Sequence, residues 1–199
     1  MKTDQQELGP VLYTLGNKQI CEGGVCDNKT SILWEDVDSL WLESWKASVN
    51  LLPSGENLKV EVVSKTGDAI SLRKYGLWIG RKDRDYFWKS YQFIVSKIID
   101  RQLSELTRDL EQGTRISFET FEITSTAIYG YYYLGRQGMV DLHRVVGCYF
   151  ENGEFMLTFL RDKDNNRLVR KSLGRVKGIP NIHLAQTFLS SVARKNSGQ

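Results

Sequence analysis

The hydrophobic pattern is clearest over residues 86–112, where it predicts one long helix. Large apolar residues recur there every three or four positions, as on one face of a helix: Phe87, Tyr91, Ile94, Val95, Ile98, Leu103, Leu106 and Leu110. Asp83 or Asp85 can cap its start, and Gly113 favours a stop after the last turn. At about 1.5 Å per residue such a helix spans roughly 40 Å. We therefore expect it to end one domain and to continue into the next.

The chain before this helix alternates between apolar and polar residues in the manner of β-strands. The predicted strands cover residues 11–21, 32–34, 40–42, 58–63 and 69–72, and residues 74–85 form a loop. Gly23-Gly24 predicts a two-residue hairpin turn, which places Cys21 opposite Cys26. A disulfide is sterically conceivable there. An odd count of three cysteines without a secretory signal instead favours reduced thiols.

The chain after the helix predicts an antiparallel meander and a second helix. Strand-like segments cover residues 115–121, 122–129, 139–150, 155–160 and 167–173. Residues 151–153 and 162–166 are rich in Asn, Asp and Gly, which favour tight turns. Pro180 or Asn181 opens the final helix, whose apolar face carries Leu184, Phe188, Leu189 and Val192.

The two halves share an apolar pattern at one fixed spacing. Residues 34–41 align with residues 142–149, an offset of 108 positions, and the same offset places Leu15 on Ile123 and Ile20 on Ile128. Each half runs strands, a meander and then a helix. An ungapped offset over this window indicates an internal duplication.

About seven short strands followed by one C-terminal helix resemble the pleckstrin-homology-like (PH-like) fold. The Trp-Glu-Asp-Val segment at residues 34–37 is similar to a step common in bacterial PH-like proteins. The tandem arrangement is similar to a bacterial family of uncharacterised function with two such domains. This resemblance implies an α+β fold of two antiparallel β-barrels, each ended by a helix. Domain 1 would cover residues 8–100, a helical connector 101–113, and domain 2 114–195.

One departure from lipid-binding PH domains stands out. Those domains commonly carry a basic cluster in the first hairpin loop. The corresponding loops here are residues 22–25 and the tyrosine-rich residues 129–135. Neither carries such a cluster, which weakens the case for phosphoinositide recognition.

Composition changes this picture only through charge. The chain has 199 residues, no apolar run long enough to span a membrane and no apolar signal at its polar N-terminus, which favours a cytoplasmic location. Residues 1–113 carry 15 Lys and Arg against 17 Asp and Glu, whereas residues 114–199 carry 12 against 7. The candidate anion-binding residues of the second half are Arg161, Lys163, Arg167, Arg170, Lys171, Arg175 and Lys177. A solvated surface is the simpler interpretation of this excess.

No catalytic or metal-binding signature is present. His143 and His183 have no Cys or His at metal-ligand spacing, and we expect structural or surface roles for both. The acidic residues 35–38 lack the alternating oxygen ligands and the glycine of a calcium loop. We therefore predict that the protein is not an enzyme, and that it has no catalytic residues, no metal and no cofactor.

Two apolar groups remain as candidate binding residues. Leu77 and Trp78, with Ile79, either fold back over the barrel mouth or form an interface, and we expect the first. Tyr131, Tyr132 and Tyr133 present the same choice, because tyrosine suits half-wet binding surfaces.

Three functions follow, in descending order of support. The first is an adaptor or scaffold that binds a protein partner. The second is peripheral binding to an anionic membrane, at its inner face, through the basic residues of domain 2. Strand alternation weakens this second hypothesis, because Arg167 would share a face with Lys171 while Arg170 would share one with Leu168. The third and least expected is nucleic-acid binding.

Overall fold

The computed structural model of the chain describes residues 5–49, 52–132, 136–161 and 167–198, which form a mixed α+β fold. The chain divides into two compact units, unit 1 at Met1–Asp100 and unit 2 at Arg101–Gln199. The described strands form four antiparallel sheets, two in each unit, and no sheet contains strands of both units. The α+β class is confirmed. None of the described sheets closes on itself, so the expected barrel closure is not observed.

The described part of unit 1 contains a one-turn helix and seven strands, followed by the start of a long helix. Helix α1 spans Gln5–Leu8. The first sheet has the order β1-β2-β3-β4, with β1 at Val11–Leu15, β2 at Lys18–Cys21, β3 at Gly24–Cys26 and β4 at Ser31–Leu33. A 3₁₀ helix, Trp34–Asp36, leads to the second sheet. Its order is β5-β6-β7, with β5 at Val37–Val49, β6 at Leu52–Ser64 and β7 at Ala69–Gly76. Helix α2, Arg81–Glu111, begins in unit 1.

Unit 2 follows the same order of elements. Its first sheet has the order β11-β10-β9-β8, with β8 at Ile116–Ser117, β9 at Phe121–Ile123, β10 at Ala127–Tyr132 and β11 at Arg136–Asp141. The second sheet has the order β12-β13-β14, with β12 at Val145–Glu151, β13 at Glu154–Leu160 and β14 at Leu168–Arg175. Two 3₁₀ helices, Leu142–Arg144 and Val176–Gly178, flank this second sheet in sequence. Helix α3 spans Ile182–Asn196.

The 108-residue offset also relates irregular features of the backbone. The 3₁₀ helices Trp34–Asp36 and Leu142–Arg144 begin 108 positions apart. In β5 the residue Asp38 is an extra residue between Val37 and Ser39 in the strand pairing. In β12 the extra residue is Val146, at the same offset. A shared β-bulge is a specific feature, so the duplication inferred from sequence has structural support.

Helix α2 has the predicted end but an earlier start. It begins at Arg81, five residues before the predicted position, so Asp83 and Asp85 lie in its first two turns rather than at its cap. At the other end the Thr114 amide donates to the Asp109 carbonyl and the Gly113 amide to the Leu110 carbonyl. This is a Schellman motif. The most buried members of the predicted stripe are Phe87, Ile94, Ile98, Leu106 and Leu110.

The predicted Gly23-Gly24 turn is wrong in register. Ile20 pairs with Val25 and Gln19 with Cys26, so the connection is wider and Cys21 does not face Cys26 directly. Neither glycine has a positive φ. A Cβ on Gly24 would lie 2.3 Å from the Ile32 carbonyl oxygen, and one on Gly23 would lie 2.5 Å from the Glu7 carbonyl oxygen. The glycines allow neighbouring backbones to approach.

Candidate interaction surfaces

Among the described side chains of unit 1, the most exposed large apolar ones lie at the end of β7 and in the loop between β7 and α2. Leu77 is 72% exposed, Trp78 is 74% exposed, and Tyr75 at the end of β7 is 59% exposed. Ile79, by contrast, is buried. The expectation that this segment folds back is therefore correct for Ile79 and wrong for Leu77 and Trp78. We call Tyr75, Leu77 and Trp78 the apolar tip.

A partly buried ion pair fixes the backbone next to the apolar tip. The Glu56 carboxylate accepts hydrogen bonds from Arg84 Nε (3.1 Å to Oε1) and Arg84 Nη2 (2.9 Å to Oε2). The Ile79 amide also donates to Glu56 Oε2 at 3.4 Å, and Arg84 Nη2 donates to the Ile79 carbonyl at 3.2 Å. The hydrogen bonds to Glu56 raise the pKa of Arg84. Glu56 is almost fully buried whereas the Arg84 side chain is 31% exposed, so this bidentate pair is partly shielded from solvent and is geometrically specific.

These contacts explain how Leu77 and Trp78 remain exposed. Buried Ile79 and the Glu56–Arg84 pair hold the residues directly after the tip against unit 1. Two successive side chains then project outward from a fixed anchor. The first turns of α2 add charge beside the tip. Lys74 pairs with Asp83 at 3.2 Å, and Arg81 approaches Asp85 at 3.8 Å while its own side chain is 93% exposed. The arrangement is an apolar centre with a polar rim, as in many interaction sites.

The basic candidates of unit 2 lie in and around the β13–β14 hairpin. Arg161, Arg167, Arg170, Arg175 and Lys177 are exposed, whereas Lys171 is half-buried. Lys163 lies outside the described residues. Arg170 pairs across the sheet with Thr158, and Lys171 with buried Leu157. Arg170 and Lys171 therefore lie on opposite faces of the sheet, as strand alternation predicted.

A β-bulge in β14 changes the position of Arg175. Ser172 pairs with Met156 and Gly174 with Phe155, so Leu173 is an extra residue. Because one inserted residue reverses the alternation beyond it, Arg175 pairs with Glu154 and lies on the same face of the β12–β14 sheet as Arg170. We call this face the outer face. Simple alternation would have placed Arg175 with Lys171. The signal that sequence reasoning missed is Gly174, because a glycine inside a strand often marks a bulge.

The remaining candidates do not form a described site. Tyr131 and Tyr132 belong to β10, but their side chains, and the whole of Tyr133, lie outside the part that the structure describes. Glu35 and Asp36 are exposed in a 3₁₀ helix. Among the described residues no group of three or more His, Cys, Asp and Glu side chains is arranged to hold a metal ion.

No protein-family model matches the chain, and no curated protein matches it. None of the helices in the described ranges combines the length and the apolarity needed to cross a membrane.

The two histidines have different environments. His143 is exposed, whereas His183 in the first turn of α3 is buried. His183 Nε2 lies 2.9 Å from Gln102 Oε1, and its Nδ1 has no hydrogen-bond partner among the described residues. Burial lowers the pKa of His183 to about 4. A neutral imidazole with its proton on Nε2 fits this environment, which makes His183 a structural residue of unit 2.

The cysteines are free thiols in the structure. Cys21 and Cys26 are buried with Leu8, and half-buried Leu33 packs against them. Burial, together with the neighbouring Cys26 thiol, raises the pKa of Cys21 to about 11. Cys148 lies 3.5 Å from the Ser190 hydroxyl, and burial raises its pKa as well. Reactive cysteines have a lowered pKa, so Cys21 and Cys148 have the character of packing residues.

Proposed function

We propose that this chain is a non-catalytic interaction protein built from two PH-like domains, and that it binds a protein partner through the apolar tip of unit 1. The observation that carries the proposal is the exposure of Leu77 and Trp78 directly before the buried anchor of Ile79, Glu56 and Arg84. The PH-like assignment is supported by the order of elements, since each unit has a four-stranded sheet, then a three-stranded sheet, then a helix.

A protein partner suits the chemistry of the apolar tip. Tryptophan and tyrosine are enriched among the residues that dominate binding energy at protein interfaces, and they act when a partner removes them from water. A standard interface buries about 800 Å² on each partner. Each aromatic side chain can bury roughly 150–250 Å². The tip therefore supplies the centre of such an interface, and the exposed side chains of Arg81 and Lys82 in α2 supply part of its rim.

Fixing the tip lowers the cost of binding. Ordering a loop or a side chain on association opposes binding. Here the backbone beside the tip is already held by Glu56, Arg84 and Ile79. More of the energy gained by burying Trp78 is then available for affinity. The proposed role is that of an adaptor, in which the chemistry belongs to the bound partner.

Affinity capture with the full chain and a Trp78→Ala variant tests this function. The matched control is Met139→Ala, since Met139 is a large apolar residue of unit 2 that is 57% exposed. We expect a defined set of proteins from the source cell to be retained by wild type and by Met139→Ala, and lost with Trp78→Ala. Both substitutions are at exposed sites and should change the unfolding free energy by no more than about 0.5 kcal/mol. Identical sets for all three baits would refute the role of the tip.

A further inference from the structure

The outer face of the β12–β14 sheet brings together residues that are separated by the bulge in sequence. Four residues of β14 lie on this face: Leu168, Arg170, Ser172 and Arg175. They pair, in that order, with Leu160, Thr158, Met156 and Glu154 of β13. The bulge at Leu173 is what returns Arg175 to this face. Two arginines and an exposed leucine are thus displayed on one surface of unit 2.

This surface carries a local excess of positive charge. Arg161 and Arg167 flank the end of the hairpin, where the Arg161 amide donates to the Arg167 carbonyl at 2.9 Å. Lys177 follows β14 and is exposed. Arg170 and Arg175 therefore lie on the outer face, Arg161 and Arg167 lie at the end of the hairpin, and Lys177 follows β14 in sequence; all five are exposed. Glu151 and Glu154 on the same face, and Asp162 and Asp164 in the sequence between Arg161 and Arg167, offset only part of this charge.

The apolar and aromatic residues of the surface distinguish between anionic partners. Leu168 is 57% exposed beside Arg167, so an aliphatic side chain accompanies the charge. Tyr149 is half-buried, with the Arg170 guanidinium 6.0 Å from its ring centroid and its hydroxyl buried. Single-stranded nucleic acid requires accessible aromatic planes for base stacking, and Tyr149 does not offer one. A lipid surface accepts both arginines at its headgroups and leucine below them.

We propose that the outer face of the β12–β14 sheet binds the anionic phospholipid headgroups of a membrane surface, through Arg170 and Arg175 with Leu168 between the lipids. This inference uses a different unit and a different surface from the protein-binding tip, and it does not depend on that function. Each basic residue near an anionic membrane contributes about 1 kcal/mol, equivalent to roughly a fivefold change in partition. Removing two should weaken binding about 25-fold.

Co-sedimentation of the full chain with vesicles tests the proposal. The vesicles contain either phosphatidylcholine alone or phosphatidylcholine mixed with phosphatidylserine. We expect recovery on the anionic vesicles only, and a decrease as salt rises, because exposed charges are screened over about 8–10 Å at physiological ionic strength. The double variant Arg170→Gln/Arg175→Gln should lose about 25-fold in partition.

A second double variant, Lys171→Gln/Arg194→Gln, removes the same amount of charge at other places in unit 2. Lys171 is the neighbour of Arg170 on the opposite face, and Arg194 is an exposed residue near the end of α3. This control should partition within about twofold of wild type, since neither residue lies on the outer face. Circular dichroism of each variant verifies that it is folded. Leu168→Ser, which keeps every charge, should weaken the binding that remains at high salt.

Four results would overturn the proposal. They are equal recovery on both kinds of vesicle, no recovery on either, a loss with the control double variant as large as with Arg170→Gln/Arg175→Gln, and tighter binding to single-stranded RNA than to anionic vesicles. Failure here would leave the protein-binding tip untouched, because Trp78→Ala probes unit 1 and these substitutions probe unit 2.

Discussion

Acidification should destabilise unit 2 through His183. In the folded chain the pKa of His183 is about 4, against an ordinary value of 6.5, because the ring is buried. Protonation would also place a second N–H at Nδ1, where the described residues provide no acceptor. The unfolded chain therefore binds this proton more readily than the folded chain. Stability is complete above about pH 6.5 and is lost as the pH falls toward 4.

The magnitude follows from the pKa difference. One pKa unit corresponds to about 1.36 kcal/mol, so the shift from 6.5 to about 4 is worth about 3 kcal/mol once the pH is below both values. At pH 5 the expected loss is about 2 kcal/mol relative to pH 7.5. His183 is only 4% exposed, so solvent screening does little to reduce this figure. For a unit of about 100 residues, such a loss is a sizeable share of total stability.

The assay can separate the two units by their chromophores. All five tryptophans, Trp34, Trp41, Trp45, Trp78 and Trp88, belong to unit 1. Urea unfolding followed by tryptophan fluorescence therefore reports unit 1, while far-UV circular dichroism reports both units. We expect the acid sensitivity of unit 2 to appear in the urea-unfolding transition that is measured by circular dichroism. His183→Gln should remove about 2 kcal/mol of the difference between pH 7.5 and pH 5, and His143→Gln is the matched substitution at an exposed site. An unaltered pH dependence in His183→Gln would refute the burial argument.

Two further substitutions test the features next to the proposed surfaces. Arg84→Met leaves Glu56 buried without its bidentate partner and should lower the unfolding free energy of unit 1 by about 2–4 kcal/mol, measured by tryptophan fluorescence. Adding Glu56→Gln should restore part of that stability. An unchanged urea midpoint in Arg84→Met would contradict the stabilising role of the ion pair. Gly174→Ala places a Cβ within 2.5 Å of Thr120 Oγ1 at a φ of 137° and should destabilise unit 2 by about 1–3 kcal/mol. Far-UV circular dichroism measures this loss, and a midpoint equal to wild type would show that the bulge tolerates a side chain.

Local patterns were enough to predict the regular parts of the fold. The apolar stripe of α2 and the stop at Gly113 are encoded within single turns of helix. The tight turn after β12 follows from Asn152 and Gly153, which both have positive φ. The 108-residue offset is likewise visible in the sequence, because it compares positions without needing to know what contacts them.

The errors arose where distant parts of the chain decide the structure. Gly23 and Gly24 indicated a tight turn, whereas their actual requirement is the closeness of the backbone at Glu7 and Ile32. The Glu56–Arg84 pair joins positions 28 residues apart, and the sequence around neither residue predicts the contact. The exposure of Leu77 and Trp78 follows from that pair. Hydrophobic character alone had favoured burial.

The bulge at Leu173 means that the charge on one surface depends on how many residues a strand contains, and not only on which residues they are. No substitution that preserves the bulge can exchange the faces of Arg175 and Lys171, because alternation is a matter of counting. Closing the bulge without removing a residue would do so, because regular alternation places Arg175 on the same face as Lys171, toward the core side. The presence of the bulge, more than the identity of any single residue beyond it, therefore decides which charges β14 displays on its outer surface.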